Sequence, residues 1–193
     1  MNRQFEAAWE LHRFLIEREI PYVIIGGIAV QRWGQPRLTR DVDLTIQLPS
    51  GREEPILREI LRAFPGRIDD ALQFAVVNRV LLVRVPGGSE ADITLGLPGY
   101  QEHLIARAVD YPLGGERTVK LCSAEDLIIL KAVAGRPQDL MDIEGIVARQ
   151  RDRLDLAYLR RGLGELSTLL DDPEVAQRFE RAWAEYLKRI TLS

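Results

Sequence analysis

The segment that most restricts this chain is Asp41-Val42-Asp43-Leu44-Thr45-Ile46-Gln47-Leu48. Polar and apolar residues alternate without a break, which is the period of a β-strand with one face in a core. A helix would scatter Val42, Leu44, Ile46 and Leu48 around its circumference. The spacing therefore predicts a half-buried strand over 41–48, with Asp41, Asp43, Thr45 and Gln47 on its polar face. Asp41 and Asp43 leave that face together, with α-carbons roughly 7 Å apart. Aspartate is disfavoured in strands, so a pair of them needs a reason.

The flanking sequence supplies elements to surround this strand. Residues 4–19 carry an apolar stripe of Phe5, Ala8, Trp9, Leu11, Phe14 and Leu15 at helical spacing, ended by Pro21. Tyr22 to Ile25 reads as a buried strand that runs into Gly26-Gly27 and then a short helix closed by Gly34 and Pro36. After the alternating strand, Ser50 with Glu53 forms a capping box for a helix that reaches about Phe64. Residues 70–78 fit helix or strand equally. Arg79 to Val85 and Ala91 to Leu95 form two strands of a hairpin around Pro86-Gly87-Gly88-Ser89. Helix is expected over 100–109, strand over 117–122, and a helix capped by Ser123 and Asp126 that ends at Gly135. Three helical segments follow, over 138–150, 154–170 and 173–190. The fold class is α+β: a small mixed or antiparallel sheet with flanking helices in residues 1–122, then an all-α region over 123–193.

Composition narrows the function. The 193 residues are 46% hydrophobic and 28% charged, as in a globular protein. The longest uncharged stretch, Ile20 to Gln31, is too short for a membrane span, which needs roughly 20 residues. No apolar leader follows the N-terminus, and one cysteine, Cys122, cannot staple the fold, so a cytoplasmic protein without a membrane partner is expected. A net charge of −3 is not the footprint of a protein that coats nucleic acid. Twenty-three of the 26 basic residues are arginine, leaving Lys120, Lys131 and Lys188. His12 and His103 stand alone. Phosphate-loop, dinucleotide-fold, serine-elbow and zinc-protease motifs are absent.

Carboxylate chemistry remains. Two aspartates on one strand face repel unless a cation lies between them, and hard oxygen donors of this kind suit Mg²⁺. Gly26-Gly27, between a strand and a helix, is an arrangement in which backbone N–H groups hold a phosphate. Arg37, Thr39 and Arg40 add donors just before the aspartates. A third carboxylate, Asp92, lies in a strand able to sit beside the first. Three such carboxylates match the needs of a two-metal phosphoryl-transfer site, whose ions stand roughly 3.5–4 Å apart. A bare Asp-x-Asp elsewhere is usually only a polar strand edge. Lys131 is the one charge in the apolar segment LIILKAVAG, read equally as a snorkelling lysine or as a phosphate ligand. Asp139 and Asp142 share a face near the next helix start, where acids are commonly caps.

The ordered set VIIGGIAV, RLTRDVDLTI and ADITL resembles the nucleotidyltransferase superfamily, whose fold is shared with DNA polymerase beta. LIILKAVAGR followed by RPQDLMDI makes it similar to the AbiEii-type nucleotidyltransferases of abortive-infection and toxin–antitoxin systems, and to their short relatives. The resemblance covers about residues 20–150. It implies that Gly26, Gly27, Arg37, Thr39, Lys131 and Asp139 bind the nucleotide. It also implies that Asp41, Asp43 and Asp92 are catalytic and hold two Mg²⁺. The activity it implies is transfer of a nucleoside monophosphate from an NTP to a hydroxyl of an RNA end such as tRNA, a protein side chain or a small molecule. A cognate antitoxin is the implied partner. The chain departs from many relatives in having Gly26-Gly27 where they have Gly-Ser, and in the thirteen residues between Gly27 and Asp41. A nucleotide- or partner-binding module without turnover is the competing reading.

Overall fold

The computed structural model describes residues 3–49, 51–97 and 99–191. The chain divides into two compact units, Met1–Ile28 with Leu38–Cys122, and Ala29–Arg37 with Ser123–Ser193.

The first unit is built on a six-stranded mixed sheet in the order β3-β4-β2-β1-β6-β5. Its strands are β1 (Tyr22–Ile24), β2 (Asp41–Ile46), β3 (Val80–Val85), β4 (Ser89–Leu95), β5 (Val109–Gly114) and β6 (Arg117–Leu121). β2 pairs antiparallel with β1 and parallel with β4, so a crossover must separate β2 from β4. Helices α3 (Glu53–Ala63) and α4 (Ala71–Asn78) and edge strand β3 occupy that crossover, and a tight turn returns the chain as β4. The alternation seen in the sequence is realised as burial. Val42, Leu44, Ile46, Ala91, Ile93 and Leu95 are all within 2% of complete burial. Helix α1 (Arg3–Glu17) lays Ala7, Ala8, Leu11, Phe14 and Leu15 against this sheet, packing on β2, β3, β4 and β6. An amphipathic stripe of this width is what a sheet-covering helix needs.

Four local expectations change. Thr45 does not join an exposed polar face: it is buried, and helix α5 (Tyr100–Ala106) packs on β1 and β2. Residues 71–78 are helical, which resolves their ambiguity. The helix expected to reach residue 109 stops at Ala106, and β5 follows as an edge strand paired with β6. Ser50 lies outside the described residues. The observed N-cap of α3 is Arg52, while the Glu53 carboxylate accepts from Gly51 N–H at 2.9 Å.

Helix α2 (Gly26–Trp33) contributes residues to both units. The second unit also holds α6 (Ala124–Ala134), α7 (Pro137–Gln150), a 3₁₀ turn, α8 (Leu156–Leu169) and α9 (Glu174–Thr191). α6 is apolar nearly all round, and such a helix belongs in a core. It packs on α7, α8 and α9, with Leu127, Ile128, Ile129 and Ala132 buried. Its ends follow the sequence signals: Ser123 Oγ accepts from Asp126 N–H at 3.0 Å, and Gly135 closes the helix at φ +62°. No helix among the described residues is long and apolar enough to cross a membrane.

Candidate active site

Parallel pairing of β2 with β4 sets Asp43 opposite Asp92 and Asp41 opposite Glu90. In each strand the two acids are two residues apart, so all four carboxylates leave one face of the sheet, while the residues between them are buried. The result is a two-by-two block of acids. Glu90 was not singled out in the sequence, although the alternation Ser-Glu-Ala-Asp-Ile already places it beside Asp92.

Asp43 is backed by the start of α2. Gly26 has φ +60°, and a Cβ there would collide with the Asp43 carboxylate. A Cβ on Gly27 would collide with Thr39. Both glycines are thus required for close approach, and the approach brings a carboxylate to a helix N-terminus, where the dipole favours negative charge. Thr39 Oγ1 donates to the Asp41 carbonyl at 3.3 Å, and Gln4 donates to the Thr39 carbonyl. Gly26, Gly27, Thr39, Asp41, Asp43 and Asp92 therefore all belong to the first unit.

A cation already meets this block. Arg67, in the link between α3 and α4, places Nη2 2.8 Å from Asp92 Oδ1 and Nη1 2.9 Å from Glu90 Oε2. Asp92 is partly buried, and burial pushes its carboxyl above the usual carboxylate value; Arg67 opposes this and Asp41 adds to it. Nothing in the local sequence pattern marks Arg67, because its role depends on a strand pairing made elsewhere.

The four acids match a divalent ion in donor chemistry, all being hard carboxylate oxygens, and the strand register brings them together. Among the described residues, no three metal-binding side chains are drawn close enough to hold one ion. The acids fit the ion in donor chemistry and strand register, and in this arrangement Arg67 is a cation in contact with Asp92.

The remaining candidates form a separate cluster in the second unit. Lys131 reaches from α6 to Asp139 at 2.8 Å and Asp142 at 2.7 Å, both on α7. Arg37 grips Asp142 with two hydrogen bonds of 3.0 Å, and Arg136 Nε donates to Asp139 at 2.6 Å. Gln138 adds a bond to Asp142 at 3.2 Å. Lys131 is only 5% exposed, Asp139 1% and Asp142 4%. Burial would raise both carboxyls, but the hydrogen bonds outweigh it. Arg136 and Lys131 hold Asp139 below the usual range, and Arg37 and Lys131 do the same for Asp142. Arg136 and Gln138 were not singled out from sequence, though their positions one turn from the aspartates are a helix-start signal. Cys122 is a buried core residue, and His12 stacks on Trp9 with Nδ1 2.6 Å from Tyr22 Oη.

Sheet order, flanking helices and paired acid-bearing strands define a protein of the nucleotidyltransferase fold. An antigenic nucleotidyltransferase-like protein from Paracoccidioides brasiliensis superposes with a TM-score of 0.52 at 21% identity, over 92% of each chain. The lincomycin-bound lincosamide antibiotic adenylyltransferase LnuA gives 0.48 at 12% identity, over 73% of this chain and 94% of that one. ANT(2'')-Ia in complex with adenylyl-2''-tobramycin gives 0.42 at 20%, over 97% and 95%. No curated protein matches the sequence significantly. The model of the family described as nucleotidyl transferase AbiEii toxin, type IV toxin–antitoxin system, matches residues 15–192. The chain belongs to the AbiEii nucleotidyltransferase family.

Proposed function

We propose that this protein transfers a nucleoside monophosphate from an NTP to a hydroxyl acceptor, acting in the cytoplasm as the toxin of a two-protein system with a cognate antitoxin. The observation that carries the reading is the parallel register of β2 and β4, which sets Asp41 and Asp43 beside Asp92 on one face. In the transfer, a bond forms between the acceptor oxygen and the α-phosphorus. The bond from that phosphorus to the bridging oxygen breaks, and pyrophosphate leaves with the electron pair. Asp41, Asp43 and Asp92 would hold Mg²⁺, which when bound supplies Lewis-acid polarisation of the phosphate. Asp92 would also receive the acceptor's proton. The backbone at Gly26 and Gly27, at the start of α2, offers N–H groups to phosphate oxygens, with Thr39 alongside.

Lys131, Asp139 and Arg37 enter the proposal with roles refined by burial. The more exposed arginines, Arg37 and Arg136, would meet phosphate, and buried Lys131 would hold the aspartates that orient them.

The test incubates the protein with each labelled NTP, Mg²⁺ and a cell extract, following pyrophosphate release and the macromolecule or metabolite that becomes labelled. Wild type should label one acceptor class. Asp43→Asn should lower the rate by about a thousandfold or more while leaving the thermal melt intact, since a metal's charge stabilisation is worth several kcal/mol. NTP binding without pyrophosphate release would support the non-catalytic module instead.

A further inference from the structure

Arg67 lies in a link, yet its backbone is anchored like a strand. Its N–H donates to the Leu82 carbonyl at 2.9 Å, and its own carbonyl accepts from Arg84 Nη2 at 3.1 Å. Gly66 bridges to Val83, and the Pro65 carbonyl accepts from Arg84 N–H at 2.8 Å. The segment is thus stitched to the free side of β3, and its position is set by the same hairpin that positions Asp92. An arginine delivered this firmly is aimed. Its guanidinium spans Glu90 and Asp92, two acids on one face of β4, and its charge is also felt by Asp41.

The two contacts are not alike. With Glu90 the arginine makes a directed hydrogen bond, whereas Asp92 Oδ1 is enclosed and meets Arg67 as a close charge contact without that direction. Arg67 therefore has a partner to keep if Asp92 turns elsewhere.

We propose that Arg67 is the resident counter-cation of this carboxylate block and competes with a divalent metal for Asp92, so that it sets how tightly the site takes its metal. The inference rests on the metal-binding reading of Asp41, Asp43 and Asp92 given above. In the metal-free protein Arg67 holds Asp92 and relieves the repulsion among the acids. When metal is present, Asp92 is shared with it and Arg67 remains on Glu90. Apparent metal affinity is then reduced by the fraction of molecules in which Arg67 occupies Asp92.

The experiment titrates the full-length protein with Mn²⁺ in the absence of nucleotide, reading free Mn²⁺ by electron paramagnetic resonance. Arg67→Gln should tighten Mn²⁺ binding by about tenfold, within the usual range of coupling between two ligands of one site. Arg67→Lys, which keeps a cation, should stay near wild type. The gain should vanish when Arg67→Gln is combined with Asp92→Asn. Circular dichroism and thermal melts verify that each variant is folded. If Arg67→Gln melts early, the rise in melting temperature that Mn²⁺ gives each protein over its own metal-free melt should still be larger for Arg67→Gln than for wild type, and equal rises would overturn the role of Arg67. Equal affinities in wild type and Arg67→Gln, with binding lost in Asp43→Asn, would overturn the role of Arg67 and leave the metal reading standing. Absence of Mn²⁺ binding in every variant would overturn the metal reading and this inference together.

Discussion

Two charged clusters, one in each unit, are built from similar residues and differ in how their acids are buried and held. In the second unit Lys131, Arg37 and Arg136 surround two carboxylates that are almost wholly buried, and every acidic oxygen has a cationic or amide partner. In the first unit Glu90 and Asp92, both partly exposed, share Arg67. The second unit's cluster lowers the proton affinity of its aspartates, whereas burial, with Asp41 beside it, raises that of Asp92 in spite of Arg67. Buried carboxylates held on every oxygen strengthen the fold, whereas on the proposed reading the acids of β2 and β4 would take a cation from outside.

This contrast can be broken most forcefully at Lys131. Lys131→Met removes the shared partner of two buried carboxylates and should lower the unfolding free energy by about 3–5 kcal/mol in urea denaturation. A loss below about 1 kcal/mol would mean that the arginines alone sustain the cluster.

Acid should produce the next largest effect. Asp139 and Asp142 have folded-state values below their ordinary 3.8, so each contributes stability that is present above that value. That stability is lost as pH falls through the lowered folded-state values. The melting temperature of wild type should therefore drop steeply below pH 3.8, and Lys131→Met should show a shallower drop from a lower start. Parallel curves for the two proteins would count against the pairing as the source of acid sensitivity.

The smallest effect is expected at Asp92, and its sign is opposite. A carboxyl whose folded-state value is raised contributes stability below its ordinary value and loses it as pH rises through the folded-state value. At neutral pH the ionised form is held at a cost, so Asp92→Asn should leave the melting temperature equal to or slightly above wild type. A marked fall would show that the Arg67 pair, and not the repulsion within the block, dominates there.

Much of this arrangement was legible in the residues. The alternation after Asp41, the Ser123 cap and the Gly135 stop are local rules, and the structure follows each of them except at Thr45. β5 was missed because Pro112 and Gly114 interrupt its pattern. Proline is tolerated where a strand's outer side needs no N–H donor, and β5 is the last strand of the sheet. Thr45 was misplaced for a related reason, since periodicity tells which face a side chain takes but not what covers that face.

The chain's order of residues was enough to announce a strand bearing two carboxylates, a glycine pair opening a helix, and a lone lysine in an apolar helix. Each is a short-range pattern, governed by backbone period and helix-end chemistry. Partners that lie far apart in sequence came from the fold. Parallel pairing brings Asp43 beside Asp92, a hairpin edge delivers Arg67 to both acids of β4, and helix packing closes Lys131 between Asp139 and Asp142. A charged side chain's surroundings are a sum over neighbours in space, and for that reason the pairing of Arg67 with the acids of β4 and the closure of the second unit's cluster are properties of tertiary structure.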